Sequence, residues 1–521
     1  MTKSFPLSKE IYSSKIVQDY LNNPDKLSPF LNMGFSQYDF AEQMENKRFS
    51  KEDRELLHDR ILSQYKKANV AVPNSLNDLL DPNCYTVTTG HQLCLFGGPQ
   101  YFIHKIVSTI KSAELLRNQH PDKLILPVFW MASEDHDFDE ISVASIYQQK
   151  VKVEGDFNNG VGRLKTESFQ KALIELKSFF ENDSRGDEIV SVFSEAFQRN
   201  NWADATRFWV NHLFKDHGLI IVDGDDHELK KMMVSLFKKE VQDGFTLKFV
   251  ETSNAELSKN GYSIQVKARA VNLFYFKDDN RYRIIKEGDV FSIGEEIFSK
   301  EQIIKKIDAS PESFSPNALL RPLFQEKILP NIAYVGGPAE VNYWSQLKRV
   351  FNEAGVLFPK VMLRESFAFL SSKEWNWWES EGLILENLFS EYDQLVKKII
   401  HQKELKIDTS DEIKLLSQLI ETLKQKVAHD KSLESFLNAE MKKIENSLLK
   451  IDKKLVQSVK KKESQFLNKI KKVKGRVLKE NKLIERTESF IPIYIELEGC
   501  YVNTLIAASD PFNPSIKLLV Y

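Results

Sequence analysis

Apolar and polar positions follow three regimes along the chain. From residue 1 to about 80 the apolar residues come in short groups between polar connections. Ser50-Lys51-Glu52-Asp53 has the serine-then-acid form of a helix start, so Asp53 to Lys67 is expected to be helical. This predicts a helical prefix over 1–80. The pattern then changes. Tyr85-Thr86-Val87-Thr88-Thr89 favours a strand and ends at Gly90. After a loop holding Gly97-Gly98-Pro99, Tyr101 to Leu116 places Ile103, Ile106, Val107, Ile110 and Ala113 on one helical face. Leu124 to Met131 is apolar on both faces, as a strand between two helix layers must be. Strand, helix and strand at this spacing make a βαβ unit, because parallel strands need a crossover.

Two more apolar bursts, Gly218 to Val222 and Ile332 to Val335, close on Asp223-Gly224-Asp225-Asp226 and on Gly336-Gly337-Pro338. Runs that each end on glycine or acids predict the carboxyl edge of one sheet, outside which open α/β folds bind ligands. The fold class expected is α/β. A Rossmann-like parallel core spans 81–370, with insertions at about 145–215 and 230–315. From Glu381 onward the period is helical. Leu385, Leu388, Tyr392, Leu395 and Ile399 step by three and four, and Leu416, Leu419 and Leu423 follow after a break at Lys406 to Asp411. A later arm runs through Met441, Ile444, Leu448, Ile451, Leu455 and Val459, then Phe466, Ile470, Val473 and Val477. The eleven-residue step from Leu455 to Phe466 predicts a stutter. Two arms joined near Ala428 to Ser432 predict a long antiparallel coiled coil over 378–480. Residues 481–521 are expected to return to the core, opening with a strand at Phe490 to Ile495.

Composition narrows the class. The 521 residues are 42% hydrophobic and 28% charged with a net charge of −2, so the chain as a whole is no electrostatic nucleic-acid binder. No apolar run reaches the roughly 18–20 residues that cross a bilayer, and no secretory signal is visible at Met1 to Glu10. Three cysteines fit a reducing interior, so a cytoplasmic protein with no membrane association is expected. The stretch from Met441 to Lys482 holds 14 Lys and one Arg against four acids. That stripe reads first as the solvated face of the coil and second as a nucleic-acid contact.

The candidate chemistry gathers at the strand ends. Glu134-Asp135-His136-Asp137 follows a buried strand, and packed carboxylates with a histidine among them would gain basicity, which suits proton transfer or an ammonium ligand. The plain alternative is a solvated cap of the next helix. Asp135, His136 and Asp137 are the expected catalytic residues. Gly90, His91, Gly97, Gly98 and His104 flank a strand-to-helix turn where backbone N–H groups can approach a phosphate. The expected substrate contacts are Gln92, Glu134, Arg321, Tyr334, Glu340, Asn342, Tyr343 and Arg364; the guanidinium groups offer a bidentate fork to carboxylate or phosphate. Glu340 reads equally as a ligand for an amine or as a charge on the helix dipole. Cys84, His91 and Cys94 have no common zinc spacing, so zinc is not expected and no metal ligands are assigned.

These motifs together resemble the bacillithiol-biosynthesis cysteine-adding enzyme family. The resemblance rests on Thr89-Gly90-His91-Gln92, Gly98-Pro99-Gln100-Tyr101 with His104-Lys105, and Pro127-Val128-Phe129-Trp130 running into Glu134-Asp135-His136-Asp137. It extends through Ser315-Pro316-Asn317, Arg321-Pro322, and Leu329-Pro330-Asn331 to Tyr334-Val335-Gly336-Gly337-Pro338, Glu340 and Tyr343-Trp344. This chain has His91-Gln92 where the family usually has Gln-Gln, and Ile484-Glu485-Arg486 where it has Gln-Glu-Arg. The resemblance implies a core like class I aminoacyl-tRNA synthetases, although no KMSKS loop is evident. It also implies a ligase that joins cysteine to the amine of glucosaminyl malate in an amide bond. Activating a free carboxylate implies ATP as co-substrate, with Mg2+ its possible companion and Arg486 among the nucleotide contacts. A homodimer through the coil is the expected assembly. Two rival readings are a synthetase-like RNA-binding protein and a non-catalytic coiled-coil scaffold.

Overall fold

A computed structural model describes the chain except residues 8–10, 156, 182, 279, 403–409 and 428–430. It divides into two units, one of residues 1–369 with 483–521 and one of residues 370–482.

The first unit is built on a six-stranded, all-parallel sheet. Its strands are β1 (Asn32–Met33), β2 (Cys84–His91), β3 (Leu124–Met131), β4 (Ile220–Asp223), β5 (Asn331–Gly336) and β6 (Lys360–Leu363), in the spatial order β1-β6-β5-β2-β3-β4. β2 pairs with β3 along its whole length, from Cys84 opposite Leu124 to His91 opposite Met131. Helix α1 (Tyr101–Gln119) makes the crossover between them. Sequence-adjacent β2 and β3 run to one side, and β5 lies on the other side of β2. The carboxyl ends of β2 and β5 therefore flank the point where the strand order reverses, where open α/β sheets bind ligands. Val87, Ile125, Ile332, Val335 and Met362 pack with Ala113 and Leu116 of α1 into one buried cluster. Ile125, Ile332 and Val335 belong to the apolar runs read from the sequence, and burial on both faces explains why those runs do not alternate.

Two sequence expectations are corrected. The segment before residue 80 holds the helices Lys15–Asn22, Ala41–Asn46 and Lys51–Lys67, but it also supplies the edge strand β1 and a strand at Thr2–Pro6. The latter pairs antiparallel with Ser515–Val520. Ile491–Glu496 is a helix, not a strand: Pro492 sits in its first turn, where its fixed φ and missing N–H cost nothing. A run of apolar residues at alternate positions does not by itself tell a short buried helix from a strand.

The insertion over 230–315 contributes a five-stranded antiparallel sheet in the order 296–299, 290–293, 280–287, 273–277, 314–316. The second unit is helical. Ser410–Val427 packs against Lys431–Lys462, forming the coiled coil. The expected stutter is a turn at Glu463, after which Ser464–Gly475 resumes the helix. The junction at 428–430, the break at 406–409 and the Leu455 and Val459 side chains lie outside the described residues. Within this unit Lys474 Nζ donates to the carbonyls of Asn387, Leu388 and Ser390 at 2.7–2.8 Å.

In the first unit the returning segment is held by one buried carboxylate. Glu485 is fully buried and sits 2.8 Å from the Arg364 guanidinium and 2.7 Å from His104 Nδ1. It also accepts from the Ser366 hydroxyl and the Phe367 N–H. Burial alone would raise its pKa, but Arg364 and His104 outweigh burial and hold it down at about 2, against an ordinary 4.5. A depressed carboxylate contributes stability above its unfolded pKa and loses it as pH falls toward the folded value. Glu485→Gln is therefore expected to cost about 3–5 kcal/mol at pH 7, since it leaves a buried guanidinium uncompensated. In urea titrations the gap to wild type should narrow as pH falls from 4.5 toward 2.

Candidate functional site

A cavity of about 760 Å³ opens at the carboxyl edge of the parallel sheet. Gly90, His91 and Gln92 enter it from the end of β2, and Trp130 to His136 from the end of β3. Gly337 to Glu340 and Tyr343 come from the turn after β5 and the helix α2 (Pro338–Trp344), and Arg364 follows β6. The remaining wall is the insertion. A loop brings Gln265, Lys267 and Arg269, and the antiparallel sheet brings Phe274, Arg281 and Arg283. Arg281 and Arg283 share a strand face because side chains repeat every second residue.

Lys105 sits in the middle of the floor. It is buried in α1, donates to the Gly90 carbonyl and lies 2.6 Å from Glu340 Oε2. Glu340 also caps α2 by accepting from Gly337 N at 2.8 Å, and Tyr334 OH donates to its other oxygen at 2.5 Å. Burial pushes the Glu340 pKa up, but Lys105 and the Gly337 N–H push it further down, so the net shift is downward and the group is ionised. Glu340 is therefore spent on the protein's own cation and helix end. Between the two readings of the sequence, the geometry favours helix capping over a substrate amine.

Arg321 is different. Its guanidinium donates to Tyr343 OH at 2.9 Å and to Gln325 at 3.3 Å, with no carboxylate within 4 Å among the described residues. Burial lowers its pKa, yet Tyr343, Tyr334 and Glu340 raise it more. Gly90 makes room for it: a Cβ there would stand 3.3 Å from Arg321 Nη1 and 3.6 Å from Trp130. Lys267, Arg269, Arg283 and Arg486 likewise have no acidic partner among the described residues.

The four-residue acidic strand end divides by role. Glu134 pairs with the buried Lys230 at 2.8 Å, and Lys230 also holds Asp225 at 2.9 Å. Asp137 accepts from Glu140 N as the cap of Phe138–Ile141 and lies off the cavity lining, so the plain reading holds for it. Asp135 and His136 remain. Asp135 Oδ1 accepts from His136 N at 2.7 Å, and Oδ2 accepts from Gln92 Nε2 at 2.7 Å. His136 Nδ1 is 2.9 Å from Arg281 Nη1. Burial and Arg281 lower the His136 pKa against the upward pull of Asp135 and Asp137, which corrects the expectation that neighbouring acids make it more basic.

Of the other expected site residues, His91 and Arg486 line the cavity. His91 Nδ1 donates to the Gln92 carbonyl at 3.0 Å; burial, with Lys105 nearby, pushes its pKa down to about 4. Arg364 reaches the cavity but is already paired with Glu485, which corrects its reading as a free substrate fork. Five residues lie outside the lining besides Asp137. His104 is fully buried between Glu485 and Tyr501. Gly97 and Gly98 serve packing rather than a phosphate: at positive φ, a Cβ would fall 2.7 Å from the Phe490 ring and 2.5 Å from Cys94 Cβ. Asn342 turns to Gln265 at 3.3 Å and anchors the loop. Tyr334 is the fifth, buried behind Glu340. Cys94 Sγ lies 3.7 Å from His91 Nδ1, and burial raises the thiol to about 12. Among the described residues no group of three His, Cys, Asp or Glu is placed to hold a metal ion.

The sequence reading missed Lys105 as a site residue and the four cations of the insertion. A lysine inside the apolar run Phe102-Ile103-His104-Lys105-Ile106-Val107 was a signal, since a buried cation needs a partner. The alternation Arg281-Tyr282-Arg283 was another.

Comparison with known proteins agrees with this architecture. Residues 2–365 match the family model described as the bacillithiol biosynthesis BshC N-terminal Rossmann-like domain, and residues 368–521 match the C-terminal coiled-coil domain of the same family. Among curated relatives, the chain is 36% identical to a Flavobacterium psychrophilum protein over 98% of each chain. It is 32% identical to one from Flavobacterium johnsoniae and 33% identical to one from Cytophaga hutchinsonii, in both cases over 98% of this chain and 97% of the relative. All three carry the name "Putative cysteine ligase BshC". With both domain models matched in order and relatives aligned end to end, the chain belongs to the bacillithiol biosynthesis BshC family.

Proposed function

We propose that the chain is a ligase that joins the carboxylate of cysteine to the amine of glucosaminyl malate, with ATP-type activation of the carboxylate. The observation that carries this is the opposition of charges within one cavity. Asp135, which has no Lys or Arg partner among the described residues, faces a wall that carries the unpaired cations Lys267, Arg269 and Arg283. An ammonium and a set of anionic groups are the features of these substrates: an amine on the acceptor, carboxylates on both partners and phosphates on the nucleotide. Arg321, free of any carboxylate among the described residues, suits a substrate carboxylate bound bidentately. The names of the relatives point to cysteine as one partner.

Holding the two reactants in one cavity supplies much of the rate, because it turns a bimolecular encounter into an oriented one. The exposed cations also stabilise the charge that builds on phosphate as it leaves. Arg486 lines the same cavity, which supports a share for it in that role. Incubating the protein with cysteine, ATP and glucosaminyl malate should give the cysteinyl amide by mass. No product above the protein-free control would overturn the reading. Asp135→Asn keeps the shape but removes the charge, so turnover should fall about 10²- to 10⁴-fold. The unfolding free energy from urea titration should stay within about 0.5 kcal/mol of wild type.

The helical unit supports a homodimer. On Lys431–Lys462, Ile444 and Ile451 are exposed and seven residues apart, which puts them on one helical face. An uncovered apolar stripe of this kind asks for a second copy, consistent with its spacing. Ile444→Glu with Ile451→Glu should reduce the mass in light scattering from two chains to one. A wild-type mass of one chain, or a mutant mass of two, would contradict the dimer seam.

A further inference from the structure

We propose that Arg281 fixes His136 as a hydrogen-bond donor through Nε2–H to the oxygen that gains charge during amide formation, leaving Asp135 to take the amine's proton. This rests on the ligase reading and assigns roles within it.

The geometry allows one tautomer. A guanidinium has only N–H donors, so at 2.9 Å from Arg281 Nη1 the Nδ1 of His136 must present its lone pair. The ring proton is then on Nε2, which has no hydrogen-bond partner among the described residues, on a side chain that lines the cavity. Arg281 is itself fixed. Its guanidinium donates to the Ser315 hydroxyl at 2.9 and 3.2 Å and to the Pro316 carbonyl at 3.0 Å. It stacks 3.9 Å over the Phe274 ring, whose centroid lies 5.2 Å from that of His136. Arginine and imidazole thus share one aromatic platform and cannot slide past each other freely.

The charged groups facing His136 are Asp135 and Asp137 on its own segment and Arg281 and Arg283 on the neighbouring strand. Burial and the two arginines outweigh the acids, so the ring stays neutral at physiological pH. A neutral ring with Nδ1 filled and Nε2 protonated has no site to accept a proton; it can only donate a hydrogen bond. Asp135 differs, because a carboxylate held by Gln92 and the His136 N–H still has lone pairs to spare. In the step itself the amine nitrogen bonds to the activated carbonyl carbon, and the phosphate-type leaving group departs with its electron pair. The amine's proton goes to Asp135, and His136 Nε2–H binds the carbonyl oxygen while it carries negative charge. Arg281 touches no reacting atom in this scheme and is a positioning residue.

The test reads the ring directly. The full chain, labelled with 15N at histidine, gives a His136 signal identified by its loss in His136→Gln. The expected spectrum shows Nδ1 bare and Nε2 protonated, with a titration midpoint below 6.5. In Arg281→Met both tautomers should appear and the midpoint should rise. A wild-type ring protonated at Nδ1, or an Arg281→Met titration identical to wild type, would overturn the assignment. Turnover gives the second arm, on a side chain exposed enough that folding is not at stake. Gln places an N–H near the position of Nε2, so His136→Gln should retain at least tenfold more amide formation than His136→Ala, which should lose about 10²- to 10³-fold. Equal and complete loss in both variants would make His136 the base and sink the proposal. Absence of ligase activity in the wild type would instead remove the functional reading while leaving the ring measurement valid.

Discussion

The buried carboxylate of Glu485 is the constraint on which the site's frame depends. A charge taken from water into the protein must be met by partners, and here those partners come from three separate places. Arg364 follows β6, His104 is in α1, and Ser366 with the Phe367 N–H begin the next strand. The segment after residue 483 can satisfy its own acid only by docking where these three meet. Arg364 is thereby held with one face to Glu485 and another to the cavity. Lys105, one residue beyond His104 on the same helix, is carried to the cavity floor.

A second pair works one layer further in. Lys105 and Glu340 neutralise each other beneath the cavity, and Glu340 pins α2 at its first turn. The polar groups of the floor are thus consumed in holding the strand ends, while Lys267, Arg269 and Arg283 of the insertion have no acidic partner among the described residues. That division separates scaffold from ligand surface. It also explains why the acidic end of β4 is quiet: Asp225 is taken by Arg163 at 2.7 Å and by Lys230, and Asp226 by Arg60.

What the sequence made legible was set by the range of the interactions involved. Leu124–Met131 and Ile332–Val335 could be read as buried parallel strands because their apolar pattern is local. Thr89-Gly90 and Gly336-Gly337 could be placed at the ligand edge for the same reason, and both reach the cavity or its rim. The chemistry of His136 was not legible, because its deciding neighbour Arg281 lies 145 positions away on an inserted strand. Nearby acids suggested a basic histidine; a distant arginine made it a neutral one. Gly97 and Gly98 looked like a phosphate cradle, but the Phe490 ring and Cys94 occupy the space their missing side chains leave. At Phe490–Ile495 the alternation of apolar residues suggested a strand, and Pro492 was the local signal for a helix start.

The proposed chemistry turns on transfer of an oxygen from the cysteine carboxylate to phosphorus. Cysteine carrying 18O in both carboxylate oxygens, turned over with ATP and glucosaminyl malate, tests this most directly. One 18O should appear in a phosphorus product, AMP or inorganic phosphate, for each amide formed, with the other retained in the amide carbonyl. Amide formed with no label in any phosphorus product would contradict activation of the carboxylate by the nucleotide.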